Sequence, residues 1–185
     1  MFGLTKESSR TLVAYAATRI LDTPFWGIYN LIPFILYKDL GASPFQIALL
    51  IMLKPLVSFL ALYWSSLVRE RPDRLLSNIL WARSLGYIPF LFMPLVTSPW
   101  LLIALHASYM MLSIGSMPAW MEILKMHLSK ETREKTFAYT QAFGYLGGGL
   151  LPFAIGFLLD GYFQAWRWLF PLAALIGLSA FIFQC

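Results

Sequence analysis

Five ionisable side chains stand inside stretches of this chain that are otherwise hydrocarbon: Arg19, Asp22, Lys54, Arg83 and His106. Holding a charge in such surroundings costs on the order of 3 kcal/mol at the centre of a membrane-spanning helix, so each must meet a counter-charge, water or a solute. Arg19 and Asp22 are three apart and share a helix face. That face continues through Tyr15, Trp26, Tyr29 or Asn30, and Pro33, while the opposite side is aliphatic. A helix lining a polar cavity has this pattern. The plainer reading is an Arg19–Asp22 pair that neutralises itself, with Arg19 also near enough to a helix end to snorkel.

Lys54 lies near the middle of its apolar run and shares a face with Gln46, Ser58 and Ser65, too deep for easy snorkelling. It calls for water, a carboxylate or a solute. Arg83, followed one turn later by Tyr87, is closer to a helix end, where snorkelling or packing serves as well as solute binding. His106 heads a stripe of Tyr109, Ser113, Ser116 and Trp120. Its near-neutral pKa would suit a proton carrier, although a hydrogen-bonded packing histidine is the commoner case.

Other chemistry finds little support. His106 and His127 are isolated and the one cysteine, Cys185, is terminal, so no metal spacing and no internal disulfide arise. Ser113 is the serine nearest to His106 on this stripe, about 10 Å along a helix axis, which is too far for a nucleophile and its base. Glu122, Lys125 and His127 are the candidates for a lipid-directed enzyme, and their mixed character reads as a solvated helix end. No cofactor is expected. The net charge of +5 does not indicate a nucleic-acid partner, because the basic residues sit at helix ends rather than in a patch with exposed aromatics.

The elements that must position these groups are six apolar runs: Arg10–Phe34, Ala48–Leu67, Leu75–Val96, Leu101–Trp120, Phe137–Leu159 and Trp168–Phe183. Each approaches the length that crosses ~30 Å of hydrocarbon at ~1.5 Å per residue. Hydrophobic residues make up 59% and charged residues 12%, too little polar surface for a soluble fold to cover these runs. The expected fold is therefore all-α and polytopic, a single bundle of six transmembrane helices over approximately 10–37, 45–68, 75–96, 100–124, 136–159 and 166–184. Ala14-Tyr15-Ala16 has the look of a signal-peptide cleavage site, but too few apolar residues precede it, so the first helix is read as uncleaved and capped by Ser8 or Ser9. Ser43-Pro44 reads as the start of the second span.

Charge alternates along the joints. The N-terminal tail, the second joint and the fourth joint carry nine basic residues, against Lys38 and Arg167 in the other three joints. By the positive-inside rule both termini are expected on the cytoplasmic side of an inner or plasma membrane. Trp100, Trp166 and Trp168 are expected at the outer interface. In the fifth helix Gly144, Gly148, Gly149 and Pro152 leave one face without bulk, and Gly144-x-x-x-Gly148 is a small-xxx-small pattern that admits a close helix neighbour.

These features together resemble the N-terminal half of a major facilitator superfamily transporter. The second joint, Arg69-Glu70-Arg71-Pro72-Asp73-Arg74, is similar to the family's basic cytoplasmic motif, although only Arg74 keeps its type. Pro118-Ala119-Trp120 before Arg133, the glycine-rich fifth helix, and Trp166-Arg167-Trp168 carry the rest of the likeness. The resemblance implies two inverted three-helix repeats, alternating access against a second six-helix half or a second copy, a small-molecule solute, and a proton or cation as a possible coupling ion. It implies that Arg69, Glu70, Arg71, Asp73 and Arg74 form a gating loop. Since the family usually has twelve helices, the chain is expected to be a fragment, a split product or a half that pairs.

If Arg19, Asp22, Trp26, Asn30, Lys54, Arg83 and His106 line the pathway, three cations outweigh one carboxylate. The expected solute is then small and anionic or zwitterionic, with Asp22 a possible proton or cation site. The alternative is a non-transporting membrane scaffold or a truncated remnant of a transporter.

Overall fold

The computed structural model describes residues 6–162 and 164–184, with the side chains of Ala61, Leu62, Ser65, Leu67 and Arg69 outside the description. All regular structure among these residues is helical. Helix α1 (Lys6–Tyr29) is followed by the short α2 (Ile32–Lys38), α3 (Pro44–Arg69), α4 (Leu75–Tyr87), α5 (Pro99–His127), α6 (Lys130–Gly161), α7 (Trp166–Ser179) and α8 (Phe181–Gln184). Four stretches among the described residues are long and apolar enough to cross a membrane: 72–95, 99–127, 130–161 and 166–184; Pro44–Leu60 is a shorter apolar helix.

Proline chemistry explains where the expected spans are interrupted. The first breaks at Asn30-Leu31 because Pro33, in the first turn of α2, cannot continue α1's hydrogen bonding. The third is α-helical only to Tyr87 and then tightens to a 3-10 helix over Ile88–Leu95, a segment holding Pro89 and Pro94. Gly41 adopts φ +60°, a conformation costly to a side chain, and lets Ala42 N–H return to the Leu36 carbonyl. Ser43 then forms a full capping box with Gln46 at the start of α3, as the Ser43-Pro44 pair led one to expect. The cap expected at Ser8 or Ser9 does not form, since both lie within α1; Ser8 Oγ instead donates to the His127 carbonyl at 2.6 Å.

α3 and α4 pack along α5, and α6 and α7 along α1. One end of the bundle gathers the start of α1, residues 72–75, the end of α5 and α8; we call it the basic end. At the opposite end Lys38 faces Asp160 at 3.5 Å and Arg167 donates to the Pro94 carbonyl at 2.7 Å.

Two apolar cores stabilise the bundle. The one at the basic end joins Tyr15, Val68, Leu75, Ile79, Trp120 and Leu124. The larger one is aromatic: Phe25 meets Tyr109, Tyr87, Phe90 and Phe170 at ring separations of 4.7, 4.8, 5.0 and 5.9 Å. Such ring pairs contribute about 0.5–1.5 kcal/mol each beyond area burial. Trp166, expected at a membrane interface, is buried in this core, whereas Trp100 and Trp168 are exposed.

Candidate functional site

Between the two cores lies a buried polar layer. α1 passes from Tyr15 in one core to Phe25 in the other, and Asp22 falls between; α4 passes from Ile79 to Tyr87, and Arg83 falls between. Arg83 Nη1 and Nη2 donate to Asp22 Oδ2 and Oδ1 at 2.9 and 2.7 Å, a bidentate fork, and Tyr87 donates to Oδ1 at 2.8 Å. Arg83 also donates to the Gly177 carbonyl, which brings α7 into the layer. The Tyr109 hydroxyl closes the network 3.4 Å from that of Tyr87. The plainer reading, an Arg19–Asp22 pair, is therefore replaced by Asp22–Arg83. Arg83 does not snorkel: its head is held in the interior, because a desolvated charge needs a desolvated partner.

Arg19 takes a different neighbour. Its Nη2 donates to Gln141 Oε1 at 2.9 Å across the α1–α6 contact, and no carboxylate among the described residues pairs with it. Lys54 likewise makes no ion pair among the described residues, and its side chain is exposed. Both cations border one cavity of about 220 Å³ between α1, α3, α4 and α5, with Thr18, Asp22, Trp26, Arg83, Tyr109, Ser113, Ser116 and Trp120 among its walls. Arg19 and Trp26 also border a second cavity of about 440 Å³, which includes Asn30, just past the end of α1, and Gln141, Gly144, Tyr145, Gly148 and Gly149 of α6. Six of the seven expected pathway residues thus line one or both of these spaces: Arg19, Asp22, Trp26, Asn30, Lys54 and Arg83.

His106 does not join them. Its ring stacks on Tyr29 at 4.5 Å, and Tyr29 donates to the His106 carbonyl at 3.2 Å. The aromatic core takes the imidazole as a flat packing surface. Gln141 and Tyr145 are site residues the sequence reading missed. They fall on the same side of the fifth run as Gly144 and Gly148, and that spacing was the available signal.

The small-residue face of α6 also turns out differently. A Cβ at Gly144 or Gly149 would meet nothing within 4 Å, and one at Gly148 would meet only Asn30 Nδ2 at 3.7 Å. Close approach to α1 is made by Gly147 against Thr23 and, from the other side, by Gly27 against Leu151. Pro152 lies inside α6 and is partly buried.

Of the expected gating loop, Arg69's side chain lies outside the described residues. Glu70, Arg71, Asp73 and Arg74 are all exposed, and the ion pair within the loop is local, Arg74 to Asp73 at 3.7 Å. No group of three or more His, Cys, Asp or Glu suited to a metal occurs among the described residues. The cavity bordered by Arg19 and Lys54, with hydroxyl and aromatic side chains in its walls, can hold a small polar solute.

A family model described as Major Facilitator Superfamily matches residues 14–184. No curated protein and no solved structure matches the chain.

Proposed function

The chain belongs to the major facilitator superfamily, whose members carry small molecules across membranes, and we propose that its cavity binds a small anionic or zwitterionic solute. One observation supports this above others. Asp22 is fully engaged by Arg83, which leaves Arg19 and Lys54 as the uncompensated charges bordering the same cavity. A carboxylate or phosphate entering there replaces lost water with charge-assisted hydrogen bonds.

In this reading the solute crosses by alternating access against a second six-helix half or a second copy, with the binding site near the bilayer midplane. The same reading takes six spans, approximately 10–37, 45–68, 75–96, 100–124, 136–159 and 166–184, with both termini on the cytoplasmic side. The basic end, with Arg71, Arg74, Lys130, Arg133 and Lys135, supports that orientation. Asp22, held here by Arg83, would serve a coupling proton or cation only in a state that releases it from that pair.

The test is equilibrium binding of matched anionic, zwitterionic and cationic solutes to the purified chain and to Lys54→Glu. The wild type should favour anions, and the reversed charge should remove or invert that preference. An unchanged preference in Lys54→Glu rules the reading out.

A further inference from the structure

Arg19 and Trp26 belong to the walls of both cavities, so the two spaces adjoin at this pair. On one side stand Lys54, Ser113 and Ser116, around about 220 Å³. On the other the space widens to about 440 Å³, and its polar side chains include the amides of Asn30 and Gln141 and the hydroxyl of Tyr145. A small carboxylate held by Arg19 and Lys54 leaves the larger space empty, and that space is of a size to hold the body of a ligand.

The side chains around the larger space decide what that body is. A hydrocarbon body would cover two amides and a phenol without returning the hydrogen bonds they make to water. A cationic body, as in a zwitterion, would call for a carboxylate. No Asp or Glu borders the larger space, and the one bordering the smaller, Asp22, is taken by Arg83. Hydroxyl groups fit, because each donates and accepts and an amide or a phenol answers both. Trp26 adds a flat apolar wall for the C–H face of a saturated ring.

Gln141 Oε1 accepts from Arg19 Nη2 at 2.9 Å. An anion that displaces it from the guanidinium frees the amide for a hydroxyl on the same molecule, so both ends of the solute are read together. Asn30 Nδ2, 3.4 Å from the Gly148 carbonyl, gives up only a long hydrogen bond in turning to the solute.

We propose that the solute is a polyhydroxylated anion, a sugar acid or sugar phosphate, with its charge between Arg19 and Lys54 and its hydroxyls on Asn30, Gln141 and Tyr145. The inference rests on the reading of the cavity as an anion site and narrows it to one substrate class.

Isothermal titration of matched pairs into the purified full chain tests it. D-Glucuronate, D-galacturonate and D-mannuronate are set against cyclohexanecarboxylate, which has the same charge and ring size and no hydroxyls. Glucose 6-phosphate against cyclohexyl phosphate does the same for a phosphate head. At least one hydroxylated anion should bind on the order of tenfold or more tighter than its bare partner, which leaves the amides unpaired. That ratio should fall towards one in Asn30→Ala/Gln141→Ala. It should fall too in Gly144→Leu, which puts a side chain where a Cβ meets nothing within 4 Å and keeps both amides. Propionate, which needs only Arg19 and Lys54, reports the anion reading by itself. If propionate and every ring anion fail to bind, that reading falls and this inference with it. If propionate binds and no hydroxylated anion exceeds its bare partner, or the ratio survives in either variant, the inference alone is overturned.

Discussion

Asp22 and Arg83, 61 residues apart, meet through both carboxylate oxygens in the layer between the two apolar cores, and neither side chain is more than 10% exposed. Removing one partner leaves the other charged and desolvated, whereas removing both leaves only a packing defect. Arg83→Met should therefore cost about 3–5 kcal/mol of stability, and Asp22→Leu/Arg83→Met should recover much of it. Denaturant unfolding of the chain in detergent micelles, followed by circular dichroism, measures both. A double variant less stable than either single one would show that Tyr87 and the Gly177 carbonyl depend on the charges.

Glycines separate into two groups by what surrounds them. A Cβ at Gly177 would sit 2.8 Å from the Tyr87 ring, and Tyr87 is held by Asp22. Gly177→Ala should destabilise by about 1–3 kcal/mol through overpacking. Gly144→Ala and Gly149→Ala meet open space, and should be neutral or stabilising by up to about 1 kcal/mol from helix propensity. Melting temperatures of the three variants check the contrast; equal losses at all three positions would contradict it.

The legible parts of this molecule were those governed by neighbours in sequence. Ser43 and Pro44 marked a helix start because a capping box closes within four residues. The apolar runs marked the helices, and the polar face of α1 marked a cavity wall, because helical periodicity is local. The pairing of Asp22 was not legible. Arg19 is nearer along the chain, but the rotation of α4 against α1 decides which guanidinium arrives, and no local rule sets that rotation. The same limit hid the choice of Gly147 over Gly144 as the close-contact residue, and the burial of His106 and Trp166 in aromatic packing. The 3-10 segment at Ile88–Leu95 is a different case: Pro89 and Pro94 announce it, and an apolar run counted by length alone passes over them.

At the end opposite the basic one, Asp39 caps α2, and partial burial raises its carboxyl above the ordinary 3.8, against the opposing pull of the Trp166 indole and the Lys38 and Arg167 charges. A raised acid is favoured in its protonated form by the fold. Its contribution is present below pH ~4 and is lost as pH rises through the folded value. Asp39→Asn keeps the neutral form at every pH. Its melting temperature should therefore gain on the wild type as pH rises from about 4 to 7. A gap that narrows over the same range would reverse the sign and exclude burial as the dominant influence.

Arg19 and Gln141 give the sharpest test of the solute cavity, because they assign opposite outcomes to two residues joined by one hydrogen bond. Gln141 is a neutral acceptor, so an entering carboxylate can displace it from the guanidinium and form the stronger, charge-assisted contact. Arg19→Ala removes the anchor and should weaken anion binding by about 1.5–3 kcal/mol, roughly ten- to a hundredfold. Gln141→Ala removes a competitor and should leave anion binding unchanged or tighter. A purely structural hydrogen bond predicts that both variants lose stability and binding together. Isothermal titration of a small carboxylate into the two variants, with melting temperatures measured alongside, separates these outcomes; parallel losses in both would assign Arg19 to packing between α1 and α6 instead of to the solute.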